Sequence, residues 1–130
     1  MGEGGTKLRF KVEGLDKTSL PRLYRLKARG EGEFSLELPL KLLELVPFEE
    51  GDSLEVGLSK EEMKDVKDDD LYMRGRVIIN ESKDKDRELH LSIGGLILEL
   101  KVPLEKAQAL GLDKLAPYDE VYVLVRRLKS

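Results

Sequence analysis

Apolar and polar residues alternate with period two over most of this chain, the pattern of strands with one buried and one solvated face. Leu8, Phe10 and Val12 alternate with Lys7, Arg9, Lys11 and Glu13 in a first strand. Residues 14–21 read as a loop, 22–29 as a second strand, and Gly30-Glu-Gly32 as a turn. Phe34, Leu36 and Leu38 mark a third strand, and Leu54, Val56 and Leu58 a fourth after the turn at Gly51-Asp52. Residues 59–70 are nearly all charged and read as a solvated connection with at most one helical turn. Leu71, Met73, Val77 and Ile79 then share one face, and residues 80–87 form a polar hairpin loop. Leu89, Leu91 and Ile93 lead through Gly94-Gly95 to Leu96, Leu98, Leu100 and Val102. Val121, Val123 and Val125 point inward in the last strand, residues 119–128. About eight short, evenly spaced strands predict an all-β sandwich or antiparallel barrel, and closure into a barrel removes exposed edges.

Two segments depart from that period. Residues 40–46 follow Pro39 and residues 104–110 follow Pro103, and proline suits the start of a helix, where its missing donor would be unpaired anyway. These predict one or two short helices. Their surroundings also match. Leu36-Glu-Leu-Pro resembles Leu98-Glu-Leu-Lys, Pro47-Phe48 precedes Asp52 as Pro117-Tyr118 precedes Asp119, and Leu23-Tyr24 sits upstream as Leu71-Tyr72 does. The reading is one domain over residues 1–130, flexible over 1–5, with similar halves at about 6–60 and 70–130.

Composition narrows the chemistry. The 130 residues contain no cysteine and one histidine, His90, which excludes disulfides, thiolate metal sites and nucleophilic thiols. No apolar run approaches the roughly 20 residues of a membrane span. The first residues, Met1-Gly-Glu-Gly-Gly, lack the apolar stretch of a signal peptide, so a cytoplasmic location is expected. Charge is abundant at 38% yet nets −3, against the basic balance of most duplex-DNA binders. Few aromatics with many Lys, Glu and Arg fit a thermophile surface of mixed ion pairs.

Asp68, Asp69 and Asp70 are the carboxylates best placed to hold magnesium, but the motif lacks the glycine-spaced loop of a cation cage and reads first as a charged surface loop. Arg74, Arg76, Arg126, Arg127 and Lys129 fall on outward strand faces, available either to carboxylates of the same chain or to an acidic partner. His90 alternates outward beside Ser92 without the orienting acid or the strained turn of a nucleophile. The pair Gly94-Gly95 marks a bulge, a sharp bend or a close backbone approach. A strand rather than a helix follows it, which argues against phosphate cradling.

Leu91-Ser-Ile-Gly-Gly-Leu-Ile-Leu-Glu-Leu resembles the serine-aromatic-Gly-Gly-Leu-Leu strand of the G subunit (subunit 8) of archaeal DNA-directed RNA polymerase, counterpart of the eighth subunit shared by eukaryotic nuclear RNA polymerases. Ile93 stands where that family usually has an aromatic. Tyr72-Met-Arg-Gly-Arg-Val and Val121-Tyr-Val-Leu-Val-Arg-Arg-Leu are similar to two further family strands, and residues 47–58 to its proline, Gly-Asp and alternating strand. The connection over 59–70 is far shorter than the acidic loop of eukaryotic members, as in an archaeal form. The resemblance implies an eight-stranded antiparallel Greek-key barrel of two OB-like halves. It implies a non-catalytic, peripheral subunit that docks on the largest polymerase subunit, with no cofactor, metal or small-molecule substrate of its own and only weak or indirect nucleic-acid contact. A barrel offering a strand edge and a bent glycine strand to a partner backbone would place Ile93, Gly94, Gly95, Leu96, Ile97 and Tyr122 at the interface centre, rimmed by Arg74, Arg76 and Arg126.

Two other readings fit parts of the chain. An OB-type single-stranded nucleic-acid binder needs a positive groove with stacking aromatics, and the chain has three Phe, four Tyr and a negative balance. A duplicated AbrB-like transcription regulator would match Pro39-Leu-Lys-Leu-Leu-Glu-Leu followed by Gly51-Asp52, but needs a basic DNA-facing surface.

Overall fold

The computed structural model describes residues 6–128, so the flexible start expected over residues 1–5 and the side chain of Lys129 lie outside the described residues. Eight strands run β1 (Thr6–Lys17), β2 (Leu23–Gly30), β3 (Glu33–Pro39), β4 (Ser53–Ser59), β5 (Leu71–Lys83), β6 (Asp86–Ile93), β7 (Leu96–Pro103) and β8 (Glu120–Leu128). Helix α1 (Leu40–Leu45) joins β3 to β4, and α2 (Leu104–Ala109) followed by a 3-10 turn (Leu112–Lys114) joins β7 to β8. Pro39 and Pro103 occupy the N-cap positions, with ψ of 152° and 144°, so each proline ends a strand and starts a helix in one step.

The strands close into a barrel in the order β1-β2-β3-β7-β6-β5-β8-β4, with β4 paired back onto β1 and every pairing antiparallel. Each half is a Greek key, β4-β1-β2-β3 and β8-β5-β6-β7, since the fourth strand returns beside the first. Exchanging every strand of one half for its counterpart in the other reproduces the same closed order. The registers agree with that exchange: across the β3–β7 seam, Phe34 pairs with Leu100 and Leu36 with Leu98. Both halves also carry a register shift at the same place, between Val12 and Gly14 in β1 and between Val77 and Ile79 in β5.

These equivalences correct the residue matches drawn from sequence. Leu98 is the counterpart of Phe34 rather than Leu36, and Gly51 is the counterpart of Tyr118. The main-chain bonds show the second match: Gly51 donates to the Val12 carbonyl as Tyr118 donates to Val77, and Val12 donates to Asp52 as Val77 donates to Asp119. Leu71-Tyr72 lies on β5, whose counterpart is β1, so its likeness to Leu23-Tyr24 on β2 is accidental.

Inward side chains fill the interior, as an eight-stranded barrel permits. Leu8, Leu26, Leu36, Leu38, Leu54 and Leu98 are fully buried. Leu43, Val46 and Phe48 after β3, and Ala107 and Leu112 after β7, join the same core and plug the two ends.

The bulges overturn three sequence expectations. β1 continues through residues read as a loop, because the extra residue at its bulge lets the chain keep pairing with β2 as far as Lys17 opposite Tyr24. The bulge in β5 sets Ile79 opposite the outward His90, so Ile79 does not share a face with Val77. The polar stretch expected as a hairpin loop is mostly strand, closed by Asp84-Lys85 between Lys83 and Asp86. Its polar residues meet solvent on one face and main-chain carbonyls on the other, where Asn80 donates to Leu112 and Leu115, and polarity by itself does not end a ladder.

Candidate partner interface

The glycine pair joins β6 to β7. Ile93 pairs with Leu96, and Gly94 and Gly95 form the two-residue turn between them with φ of 59° and 95°. Positive φ at both central residues is the I′ hairpin pattern, which only glycine adopts without strain at both sites. The bent glycine strand expected from sequence is therefore a sharp hairpin. Closure of the barrel likewise removes the free edge that was to meet a partner over most strands.

The expected interface residues do not form one patch. Ile93 is 8% exposed and belongs to the core. Leu96 packs against that core and stays half-buried, while Ile97, also half-buried, stands outside the core cluster. The Ile97 amide donates to Glu37 Oε1 at 3.0 Å, fixing the hairpin beside the end of β3. Tyr122, Arg74 and Arg76 stand elsewhere, on the outer face of β5 and β8, where Arg74 opposes Tyr122 and Arg76 opposes Glu120. The Tyr122 ring stacks on Tyr72 at 5.8 Å. The Tyr122 hydroxyl and Glu120 hold the Arg74 guanidinium further above its usual range. Arg76 forms an ion pair with Glu120 at 3.3 Å.

Arg126 serves the fold. Its guanidinium donates to both carboxylate oxygens of Asp70 at 3.0 and 2.8 Å and to the Asp65 carbonyl at 2.8 Å. The Asp70 carboxylate is 1% exposed and also accepts the Lys67 amide at 2.8 Å. Burial pushes the Asp70 carboxyl up, but the hydrogen bonds from Arg126 and Lys67 outweigh it and hold the group below the usual carboxylate range. The same pairing raises the pKa of Arg126. Asp70, one of the three aspartates considered for magnesium, is thus committed to a guanidinium and a main-chain amide. Among the described residues no cluster of His, Cys, Asp or Glu is arranged to hold a metal ion.

The connection over 60–70 has no helix and is not freely solvated. The Met63 amide donates to the Tyr72 hydroxyl at 2.9 Å, Lys60 meets Asp119 at 3.3 Å, and Arg126 holds Asp65 and Asp70. These contacts tie it to Tyr72 of β5 and Arg126 of β8. Leu124, between the core residues Val123 and Val125, is only 6% exposed although it stands outside the core cluster. Sequence reasoning missed the ties of this connection, which depend on residues about 60 positions apart.

Among the described residues, large exposed apolar side chains other than Tyr72, which stacks on Tyr122, fall at two places. Ile78 and Tyr118, 46% and 78% exposed, flank the β5 bulge, where the Tyr118 amide donates to the Val77 carbonyl. Tyr118 has φ of 71°, the conformation its counterpart Gly51 takes at 92°. A non-glycine residue there is strained by about 1 kcal/mol. Tyr118→Gly is expected to raise the unfolding free energy by about 0.5–1 kcal/mol in urea titration; a loss of stability would show that the ring packs against the fold. Leu15, Leu20 and Leu45, 37%, 61% and 78% exposed, lie at the other place, around the β1–β2 tip and the end of α1. On the remaining outer surface a cleft of about 550 Å³ crosses β2, β3, β7 and β6. Its cations are already paired: Lys27 with Asp16 at 2.9 Å, Arg25 with Glu37 at 3.2 Å, Arg29 with Glu13 at 3.4 Å, and Lys101 with Asp86 at 4.0 Å. His90 faces Glu88 at 3.9 Å on the same surface.

Residues 6–128 match the RpbG family model, which describes the G subunit of DNA-directed RNA polymerase. No curated protein matches the chain. Among solved structures, that of the cytoplasmic molybdate-binding protein ModG with molybdate bound is 14% identical, covers 92% of this chain and 89% of its own, and has a TM-score of 0.38.

Proposed function

This chain belongs to the RpbG family of DNA-directed RNA polymerase subunits, and from that premise we propose that it is a non-catalytic, peripheral subunit that docks on the largest polymerase subunit. The observation that carries this reading is the family match, which takes in the whole barrel over residues 6–128. The site chemistry supports it. Asp70, the most buried of the three candidate aspartates, is bound to Arg126. The lone imidazole sits beside Glu88. We place the barrel as one duplicated domain in the archaeal form of the enzyme, in the cytoplasm. No helix among the described residues is long and apolar enough to cross a membrane.

Two features weigh against the nucleic-acid alternatives. Tyr72 and Tyr122 spend a ring face on each other, and most outward cations near them are paired with carboxylates. A stacking groove or a duplex-DNA surface would leave rings and cations free.

The test is recovery of the tagged chain from its own cells through a high-salt wash. Stoichiometric polymerase subunits, the largest among them, are expected to elute with it. Elution of the chain alone, or with nucleic acid only, would overturn the reading.

A further inference from the structure

The order of strands around the barrel separates the two halves of the chain cleanly. Residues 6–59 supply β4-β1-β2-β3, residues 71–128 supply β8-β5-β6-β7, and the halves meet edge to edge at β3–β7 and β4–β8. Side-chain contacts join them as well: Glu37 accepts the Ile97 amide, Glu31 pairs with Lys106, and Arg127 donates to the Pro47 carbonyl at 2.7 Å. Alone, the first half would expose Leu8, Leu26, Leu36 and Leu54, and the second Leu89, Leu91, Leu98 and Val123, each with two unpaired strand edges. Each half is complete only with its complement. Nothing in these contacts depends on the complement belonging to the same chain.

One covalent link joins the halves. β8 lies between β4 and β5, so residues 60–70 cross it to carry the chain from Ser59, opposite Tyr122, to Leu71, opposite Val125. The crossing spans about 15 Å, from two strand spacings across and three residues along. Fully extended, the same segment reaches about 40 Å, far enough to lead into a neighbouring barrel. The ties that hold it compact all come from the second half: the Tyr72 hydroxyl on Met63, Asp119 on Lys60, and Arg126 on Asp65 and Asp70. While they hold, Ser59 is kept beside β8 of its own chain.

We propose that this chain exchanges halves with a second copy of itself, giving a dimer of two complete barrels, each with β1–β4 from one chain and β5–β8 from the other. The ties on residues 60–70 are the latch that keeps the halves of one chain together. Every strand pairing of the monomer is remade in the dimer, so the balance between the two forms lies with the connection and with concentration. A flexible segment of this length holds its two ends at an effective concentration of about 1 mM. Exchange competes when the chain approaches that concentration while folding, or when the latch is released. Conversion afterwards requires both seams to open, so a closed barrel stays in the form in which it was made.

The chain has no cysteine, so one introduced pair reports the exchange. Ser35 and Glu99 stand directly opposite each other across the β3–β7 seam and outside the core, at a separation that a disulfide bridges. Full chains carrying Ser35→Cys and Glu99→Cys separately are mixed, unfolded in urea, refolded together at about 1 mM or about 10 μM, and oxidised. At the higher concentration a dimer is expected on gel filtration, with a disulfide joining the two variants by peptide mass spectrometry. Refolding at the lower concentration, or mixing without unfolding, is expected to give about tenfold less of it. Without the added cysteines, Arg126→Met and Tyr72→Phe are each expected to raise the dimer fraction at the lower concentration by about threefold. Tyr72→Phe removes only the hold on Met63, which separates release of the latch from the stability lost with Arg126. Monomer alone at both concentrations, or a dimer without a disulfide between the two variants, overturns the exchange and leaves the polymerase reading intact. A dimer fraction that neither Arg126→Met nor Tyr72→Phe raises overturns the latch.

Discussion

Leu98→Ala is expected to lower the unfolding free energy by about 3 kcal/mol in urea titration, with Leu36→Ala close behind. Both side chains are fully buried and directly opposite each other across the β3–β7 seam. The seam is one of only two places where the halves meet edge to edge, and its ladder contains four residue pairs, from Glu33 with Lys101 to Leu36 with Leu98. Truncation loses the transfer energy of the removed methylenes and leaves a cavity that a closed barrel cannot collapse around. Because the two truncations enlarge one cavity, the double variant should differ from the sum by about 0.5–1 kcal/mol. Unfolding should remain a single transition by far-UV circular dichroism and tyrosine fluorescence, since β4 is paired to both β1 and β8. Separate transitions would show that the halves fold independently and that the seam is weak.

Arg126→Met is expected to cost about 3 kcal/mol at pH 7, because it leaves the 1%-exposed Asp70 carboxylate without its counter-charge. The pH dependence identifies the cause. Asp70 titrates below an ordinary carboxylate, so the unfolded chain takes up this proton first as pH falls. Its contribution is complete above about pH 4, the unfolded value, and is lost as pH falls through the lower folded value. Glu31, hydrogen-bonded by Lys106 and the Arg9 amide, and Asp119, which accepts the Ala116 amide, are also lowered and add to the same acid limb. Without Arg126, burial pushes the Asp70 carboxyl up, so protonation relieves the buried charge and the deficit of the variant narrows on going from pH 7 to pH 4. A deficit constant with pH would mean that the lost stability comes from packing of the arginine stem. Increased proteolysis within residues 60–70 should accompany the loss, since Arg126 also holds the Asp65 carbonyl.

The strands and helices were legible because each rests on a local signal. Alternation at Leu8-Phe10-Val12 and Val121-Val123-Val125 names the buried face directly, and Pro39 and Pro103 each mark the change from strand to helix. The candidate interface was less legible. Alternation said that Ile93 shares a face with Leu91, but the hairpin at Gly94-Gly95 and the closure of the sheet decided that this face is core. Arg126 reads as an outward cation, and only the return of residues 60–70 over β8 turns it into a buried tie. The correspondence of the two halves was misaligned from sequence, because leucine-rich strands match each other in several registers.

The sequence by itself determined that this chain is a strand-rich, cysteine-free domain with two short proline-started helices and a polymerase-subunit signature. Those properties rest on composition, on period and on residues close along the chain. Tertiary structure alone decided the closure of the barrel, the positions of the two bulges, the burial of Asp70 and Leu124, and the packing of the 3-10 turn on the β5–β6 hairpin. Each of these depends on which distant strand pairs with which, and period-two alternation, the same for every partner, carries no record of that choice.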